Sequence, residues 1–322
     1  MKLTVLKSIL LPFLSVLILF ACRKDPVPDP SGFKLRIETS AAGSTRVTGD
    51  ALENESRVSD LQVLVFDREG NLEISGSARS SSLSLSCRGG DKTVWALVNA
   101  PFANQVLCLA DLSAILSNLS DNEPGRLVMA GSCPLSVRSD QAVTIEVERL
   151  CAKVTVGKIT RAFTSPVLQA KPLTVHRIYM TNVAADRPLI ALAPPSAWLN
   201  RMGDRGDCPG LLCDTVEREL VSSLEETHTF YVYPNDAVSG ARGGTWSPRP
   251  TRLVIDTTLD GDRYYYVIDI PDIRSNHSYR LTDIVLGRPG STDEENVSSE
   301  AAVRFTFSVV GWNEMDPYQE NL

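Results

Sequence analysis

Residues 33–38 read Phe-Lys-Leu-Arg-Ile-Glu. Apolar and charged residues alternate without a break. Successive side chains of a strand point to opposite faces, so the pattern is that of a half-buried β-strand. The same signature returns along the chain. Leu83 and Leu85 alternate with serine, and Val143, Ile145 and Val147 alternate with polar residues. Near the end, Val303, Phe305, Phe307 and Val309 alternate with Arg304, Thr306 and Ser308. Leu61–Phe66 (LQVLVF) and Thr93–Val98 (TVWALV) are fuller apolar runs, as expected of strands covered on both faces. Leu150–Val156, Thr174–Met180, Thr229–Tyr233 and Ser278–Leu286 extend the series. Leu253–Thr257 and Tyr264–Ile270 flank Asp260-Gly261, which predicts a hairpin because glycine accepts positive φ at no steric cost. One helix is expected over Asn104–Ser120, where Val106, Leu109, Leu112, Leu116 and Leu119 follow helical spacing and Asp111 can cap the second half. Many short strands with regular turn punctuation predict an all-β fold of β-sandwiches with one or two short helices.

The chain has 322 residues, enough for two domains. The strand pattern lapses between Gly157 and Pro172, which places the expected domains at 33–160 and 161–322. Hydrophobic residues make up 43% and charged residues 22%, the balance of a globular chain. Lys and Arg total 32 against 39 Asp and Glu, a net charge of −7, which argues against a general nucleic-acid binder. Three histidines leave little for a His-rich metal site.

Residues 1–21 read as an export signal. Lys2 and Lys7 form the basic start, and the apolar run Ile9–Ala21 is too short to span a bilayer comfortably. Leu19-Phe20-Ala21-Cys22 resembles a bacterial lipobox, with Cys22 as the acylated residue and Phe20 departing from the usual small or β-branched residue. Acyl chains contribute about 0.8 kcal/mol per buried CH₂, so multiple acylation gives a lasting membrane anchor. Residues 22–32 hold three prolines and no apolar pattern, and read as a semi-stiff tether.

Several segments then resemble, in order, the major fimbrial subunit (fimbrillin, FimA-type) family of Bacteroidales. They are Val58–Asp67 (VSDLQVLVFD), Trp95–Ala100 (WALVNA) and Glu148–Val154 (ERLCAKV). Phe230–Asn235 (FYVYPN), Asn276–Tyr279 (NHSY), Arg288–Ser291 (RPGS) and Val309–Trp312 (VVGW) follow. Cys151 and Gly311 depart from the family pattern. The resemblance implies two transthyretin-like β-sandwich domains and export to the outer membrane as a lipoprotein precursor. It further implies an arginine-specific protease that removes the tether and first strand. A strand of another fimbrial subunit fills the vacated slot, building a cell-surface pilus for adhesion and biofilm formation.

The sequence holds candidates for each part. Phe33, Leu35 and Ile37 belong to the removable strand, and burying them contributes about 5–9 kcal/mol at roughly 1.5–3 kcal/mol each. Downstream, Ser40–Asp50 is small, polar and glycine-containing, the kind of loop proteases nick, and Arg46-Val47 is its one Arg–X bond. Arg57-Val58 is the next candidate but abuts the Leu61 strand. Val303–Val309 or the polar tail behind it could serve as the donor. Arg46 could equally be a loop arginine with no role, since accessory and anchor subunits can stay uncut.

Other constellations read as structural. Cys22 aside, six cysteines permit up to three disulfides, and Cys208 and Cys213 are spaced to close a small loop. Arg205-Gly206-Asp207 is a short loop tripeptide. Asp256, Asp260 and Asp262 lack the spacing and terminal Glu of a calcium loop. His176, His228 and His277 belong to no nucleophile motif, so no catalytic, cofactor or metal residue is nominated and the chain reads as a non-enzyme. The rival reading is a glycan-capturing surface lipoprotein, with Trp198 and Trp246 as stacking residues and Trp95 in the core.

Overall fold

The computed structural model describes residues 32–41, 55–201, 210–237 and 247–312. The export signal, Cys22, nearly all of the tether, Arg46, Val47, Arg205-Gly206-Asp207, Cys208, Trp246 and residues 313–322 lie outside the described residues. The fold is all-β. Among the described residues, no helix is long and apolar enough to cross a membrane.

Seven strands of the first half form one continuous hydrogen-bonded path. In chain order they are β1 (Phe33–Ala41), β2 (Leu61–Phe66), β3 (Leu72–Ala78), β4 (Ser82–Cys87), β5 (Gly90–Val98), β7 (Met129–Val137) and β8 (Gln141–Arg149). Their spatial order is β3-β2-β5-β7-β8-β1-β4. The path folds over between β7 and β8, which pair only at Met129–Arg149 and Ala130–Glu148. Gly131 permits this close crossing, because a Cβ there would lie 2.0 Å from the Glu146 carbonyl oxygen. The result is two layers, β3-β2-β5-β7 over β8-β1-β4. Leu35 and Ile37 of β1 meet Val63, Val65, Val94, Ala96, Ile145 and Val147 in the core between them.

β2 is buried at all six positions. Val63 and Val65 face the core just described, while Leu64 and Phe66 face a second, larger core shared with the rest of the chain. Two faces, two cores: this is the physical reason for the unbroken LQVLVF run.

The second half builds two further sheets. One has the order β16-β10-β20-β9-β17, from β9 (Ala152–Val156), β10 (Ile159–Arg161), β16 (Ser223–Leu224), β17 (His228–Val232) and β20 (His277–Leu286). β21 (Val303–Gly311) pairs along β20, and Phe305 and Val309 on it are exposed. The other sheet is β15-β11-β18-β19, from β11 (Leu173–Thr181), β15 (Cys213–Glu219), β18 (Arg252–Leu259) and β19 (Asp262–Asp269). The Asp260-Gly261 hairpin forms as expected, with both residues at positive φ (52° and 94°). Two ribbons complete the fold. β12 (Val183–Ala184) pairs with β14 (Trp198–Leu199), and β6 (Leu116–Asn118) from the first half pairs with β13 (Asp186–Pro188) from the second.

Two local expectations are corrected. The helix spans Leu109–Ala114 rather than 104–120. The Asp111 carboxylate accepts the N–H groups of Leu107 and Cys108 at the helix start, which lowers its pKa. Leu116–Asn118 leaves the helix to pair with β13, so tertiary pairing overrides the helical spacing. The run Leu150–Val156 is broken at its start. β8 ends at Arg149, and β9 begins at Ala152 in a different sheet.

Candidate functional site

β1 is the middle strand of its layer. It runs antiparallel to β4, with Leu35 opposite Leu85, and parallel to β8, with Ile37 opposite Val143. Leu35 and Ile37 are fully buried, and Phe33 is half-buried. Burying those two contributes about 3–6 kcal/mol at roughly 1.5–3 kcal/mol each. Between β4 and β8, β1 fills a slot whose apolar walls include Leu83, Leu85 and Cys87 on one side and Val143, Ile145 and Val147 on the other. Burial pushes the Cys87 thiol pKa up, so it is a packing residue while β1 is in place. Both neighbours bond β1 along its length, so withdrawing it would expose two rows of unpaired backbone groups.

The chain re-enters the described structure at Glu55, in a buried cluster. Its carboxylate accepts Lys153 Nζ at 2.7 Å, the Tyr231 hydroxyl at 2.9 Å and Trp312 Nε1 at 2.8 Å. Trp312 stacks on Tyr231, with ring centroids 5.9 Å apart. The Arg149 guanidinium lies 4.8 Å from the Trp312 ring centroid. It also donates to the Glu55 carbonyl, to Ser56 Oγ and to Asn276 Oδ1. Burial and the adjacent Glu55 carboxylate raise the Tyr231 pKa, so its hydroxyl stays a donor. Arg149, Lys153, Tyr231, Asn276 and Trp312 come from four of the resembling segments. Sequence reasoning missed Glu55, which carries no local signal.

The other segments are structural too. Asn99, at φ 54°, bonds the β2 entry and Leu127. Asn235 bonds the Asn182 and Arg249 carbonyls. Tyr266 donates to the Arg288 carbonyl, and a Cβ on Gly290 would lie 2.3 Å from the Tyr265 carbonyl oxygen.

The remaining nominated residues separate. Asp256 is fully buried and is bonded by Arg177 and Arg263. His176 bonds Glu217 and Thr258, His228 bonds Asp214, and His277 bonds the Ser275 carbonyl. Among the described residues, no three His, Cys, Asp or Glu side chains gather as around a metal. Cys87, Cys108, Cys133 and Cys151 are thiols. Cys151 is wholly buried, and its pKa is pushed up to about 12. Trp95 packs half-buried against the larger core, and Trp198 is half-buried in the β12–β14 ribbon.

No family model and no curated protein sequence matches the chain. Solved structures do. A Bacteroides eggerthii protein assigned to cell adhesion superposes with a TM-score of 0.66 at 17% identity, over 89% of this chain and 98% of that one. The fimbrilin FimA of Porphyromonas gingivalis gives 0.63 at 15% identity, over 88% and 98%. This chain has the fold of the Bacteroidales fimbrial proteins. The tip fimbrial protein Mfa3 of Porphyromonas gingivalis shares the same fimbrial fold with a TM-score of 0.53 at 13% identity, over 87% and 99%.

Proposed function

We propose that this protein is a non-catalytic structural subunit of cell-surface fimbriae. It is exported as a lipoprotein precursor, acylated at Cys22 and held at the outer membrane. An arginine-specific protease then cuts at Arg46-Val47, β1 leaves, and a strand of another subunit enters the slot. The observation that carries this reading is the placement of β1. It lies at the centre of its layer, and its one onward connection contains Arg46. A single cut there frees β1 without severing any other described strand.

β21 supports the assembly half of the proposal. It is a nine-residue edge strand with exposed Phe305 and Val309, an edge of the kind that pairs with other chains. We read the chain as two β-sandwich domains. The strand pattern in the sequence places the boundary at 160, and we set it at 150–151, where β8 and β9 enter different sheets.

A second reading, an uncut tip, accessory or anchor subunit, draws support from the shared fold with the tip protein. N-terminal sequencing and intact mass of the protein recovered from sheared surface material test both. A start at Val47 without lipid is the expected result. A lipidated start at Cys22 in the membrane fraction overturns the polymerising role and leaves the anchor.

A further inference from the structure

We propose that Glu55–Asp60 is a built-in stop against proteolysis, which keeps the Arg57–Val58 bond intact when the connection between β1 and β2 is trimmed. This rests on the processing reading above and adds where processing ends.

The Arg57 side chain is exposed, so its charge is available to an arginine-specific protease. The backbone around it is not. A protease reads several residues on each side of the scissile bond as an extended strand, through main-chain hydrogen bonds. On the C-terminal side those groups are held by Asn99. Its Nδ2 donates to the Arg57 carbonyl at 2.8 Å, and its Oδ1 accepts the N–H of Ser59 at 2.9 Å and of Asp60 at 3.3 Å. The Asn99 N–H donates to the Asp60 carbonyl at 3.0 Å.

On the N-terminal side the hold is Arg149, whose Nε donates to the Glu55 carbonyl at 3.1 Å and whose Nη2 donates to Ser56 Oγ at 2.7 Å. Glu55 itself is fixed by Lys153, Tyr231 and Trp312. Asn99 is 1% exposed and Arg149 0%, so neither anchor can move outward with the segment. For Arg57 to lie extended in a protease cleft, both anchors must be abandoned at once, leaving buried donors without acceptors. Arg46, in the polar stretch 40–50, is the bond left to cut. The trimmed chain therefore keeps Glu55 and its bond to Trp312.

The test is timed digestion of the full chain with an arginine-specific endoprotease, read by intact mass and N-terminal sequencing. No early product starting at Val58 is expected from the wild type. Asn99→Ala should release that product about tenfold faster, because cleavage tracks the open population. A variant that merely unfolds is recognised by simultaneous cuts after buried arginines such as Arg161. In that case Ser56→Ala, which removes one contact to Arg149, decides by whether the Val58 product rises. Wild-type cutting at Arg57 as fast as at Arg46, or no gain in the deciding variant, overturns the proposal. If Arg57 is protected and then freed by Asn99→Ala while Arg46 is never cut, the stop stands and the processing reading fails.

Discussion

Glu55 and Trp312 are 257 positions apart, and their side chains share a buried hydrogen bond of 2.8 Å. The first residue described after the stretch that contains Arg46 is thereby fastened to residue 312, the last one described. Glu55→Ala would leave the Lys153 ammonium, the Tyr231 hydroxyl and the Trp312 indole N–H without their shared acceptor. The expected loss is about 3–5 kcal/mol, measured by denaturant unfolding. A double-mutant cycle with Trp312→Phe should show non-additivity. Simple additivity would mean that the two residues do not act together.

Leu35→Ala distinguishes precursor from product. Truncating a fully buried leucine costs about 2–5 kcal/mol where it packs. The uncut chain should melt at a lower temperature. Protein cut after Arg46 and separated from β1 should melt as the wild type does. An equal shift in both would show that β1 stays bound after cutting.

Cys87 reports on the slot. Its side chain lies in the small core beside β1, with Phe33 in register opposite. Timed alkylation should be slow in the uncut chain and fast once β1 is gone. Cys151, wholly buried where β8 gives way to β9, should stay protected in both and serves as the internal control. Slow Cys87 labelling after cutting would mean that the slot closes or refills.

The strand pattern was legible where one face is buried and the other wet. That is why β1 and β8 follow the period-two reading, whereas β21 alternates in sequence yet leaves Phe305 and Val309 exposed. β3, β7 and β15 escaped it for physical reasons. β3 (LEISGSA) is rich in serine and glycine, β7 (MAGSCPLSV) carries Gly131 and Pro134, and β15 (CDTVERE) is largely exposed and polar. Asn99, Arg149, Asn276 and Trp312 were visible only through the resemblance, and the structure shows what each holds. Glu55 could not be read at all. Its partners lie 98, 176 and 257 positions away, and a lone glutamate beside a polar loop looks like solvated charge.

Gly131→Ala should cost more than an ordinary surface substitution. The added carbon would meet the Glu146 carbonyl where β7 and β8 cross, and neither backbone can yield cheaply. A loss above about 2 kcal/mol is expected, in the range of overpacking and strain. A melting temperature unchanged from the wild type would mean that the crossing is looser than described.

Acid should weaken the first half through Glu73. Burial pushes its carboxyl up, but the bonds from the Lys92 ammonium and the Arg88 N–H outweigh it and hold the pKa below the ordinary 4.5. A depressed folded pKa contributes stability that is present above 4.5 and lost as pH falls through the folded value. The melting temperature should therefore drop as pH falls from about 5 to about 3. Glu73→Gln should flatten that slope and be less stable at neutral pH, because Lys92 is then buried without a counter-charge. Identical slopes would place the acid sensitivity elsewhere.

The parallel ladder between β1 and β8 also sets an order of events. Lys34 bonds Asp140 across 106 positions, so β1 leaves the ribosome or a membrane channel long before its partner exists. Its antiparallel neighbour β4 appears earlier, but one ladder on a single edge is a weak hold. Loop closure over such a span is slow as well as entropically costly. Loop-closure cost alone therefore predicts that the first strand made is the last to be locked in, with its seat open to a strand of suitable pattern until then. A chain folding in that order would pass, on its way to the finished fold, through the same vacancy that later joining of subunits would need.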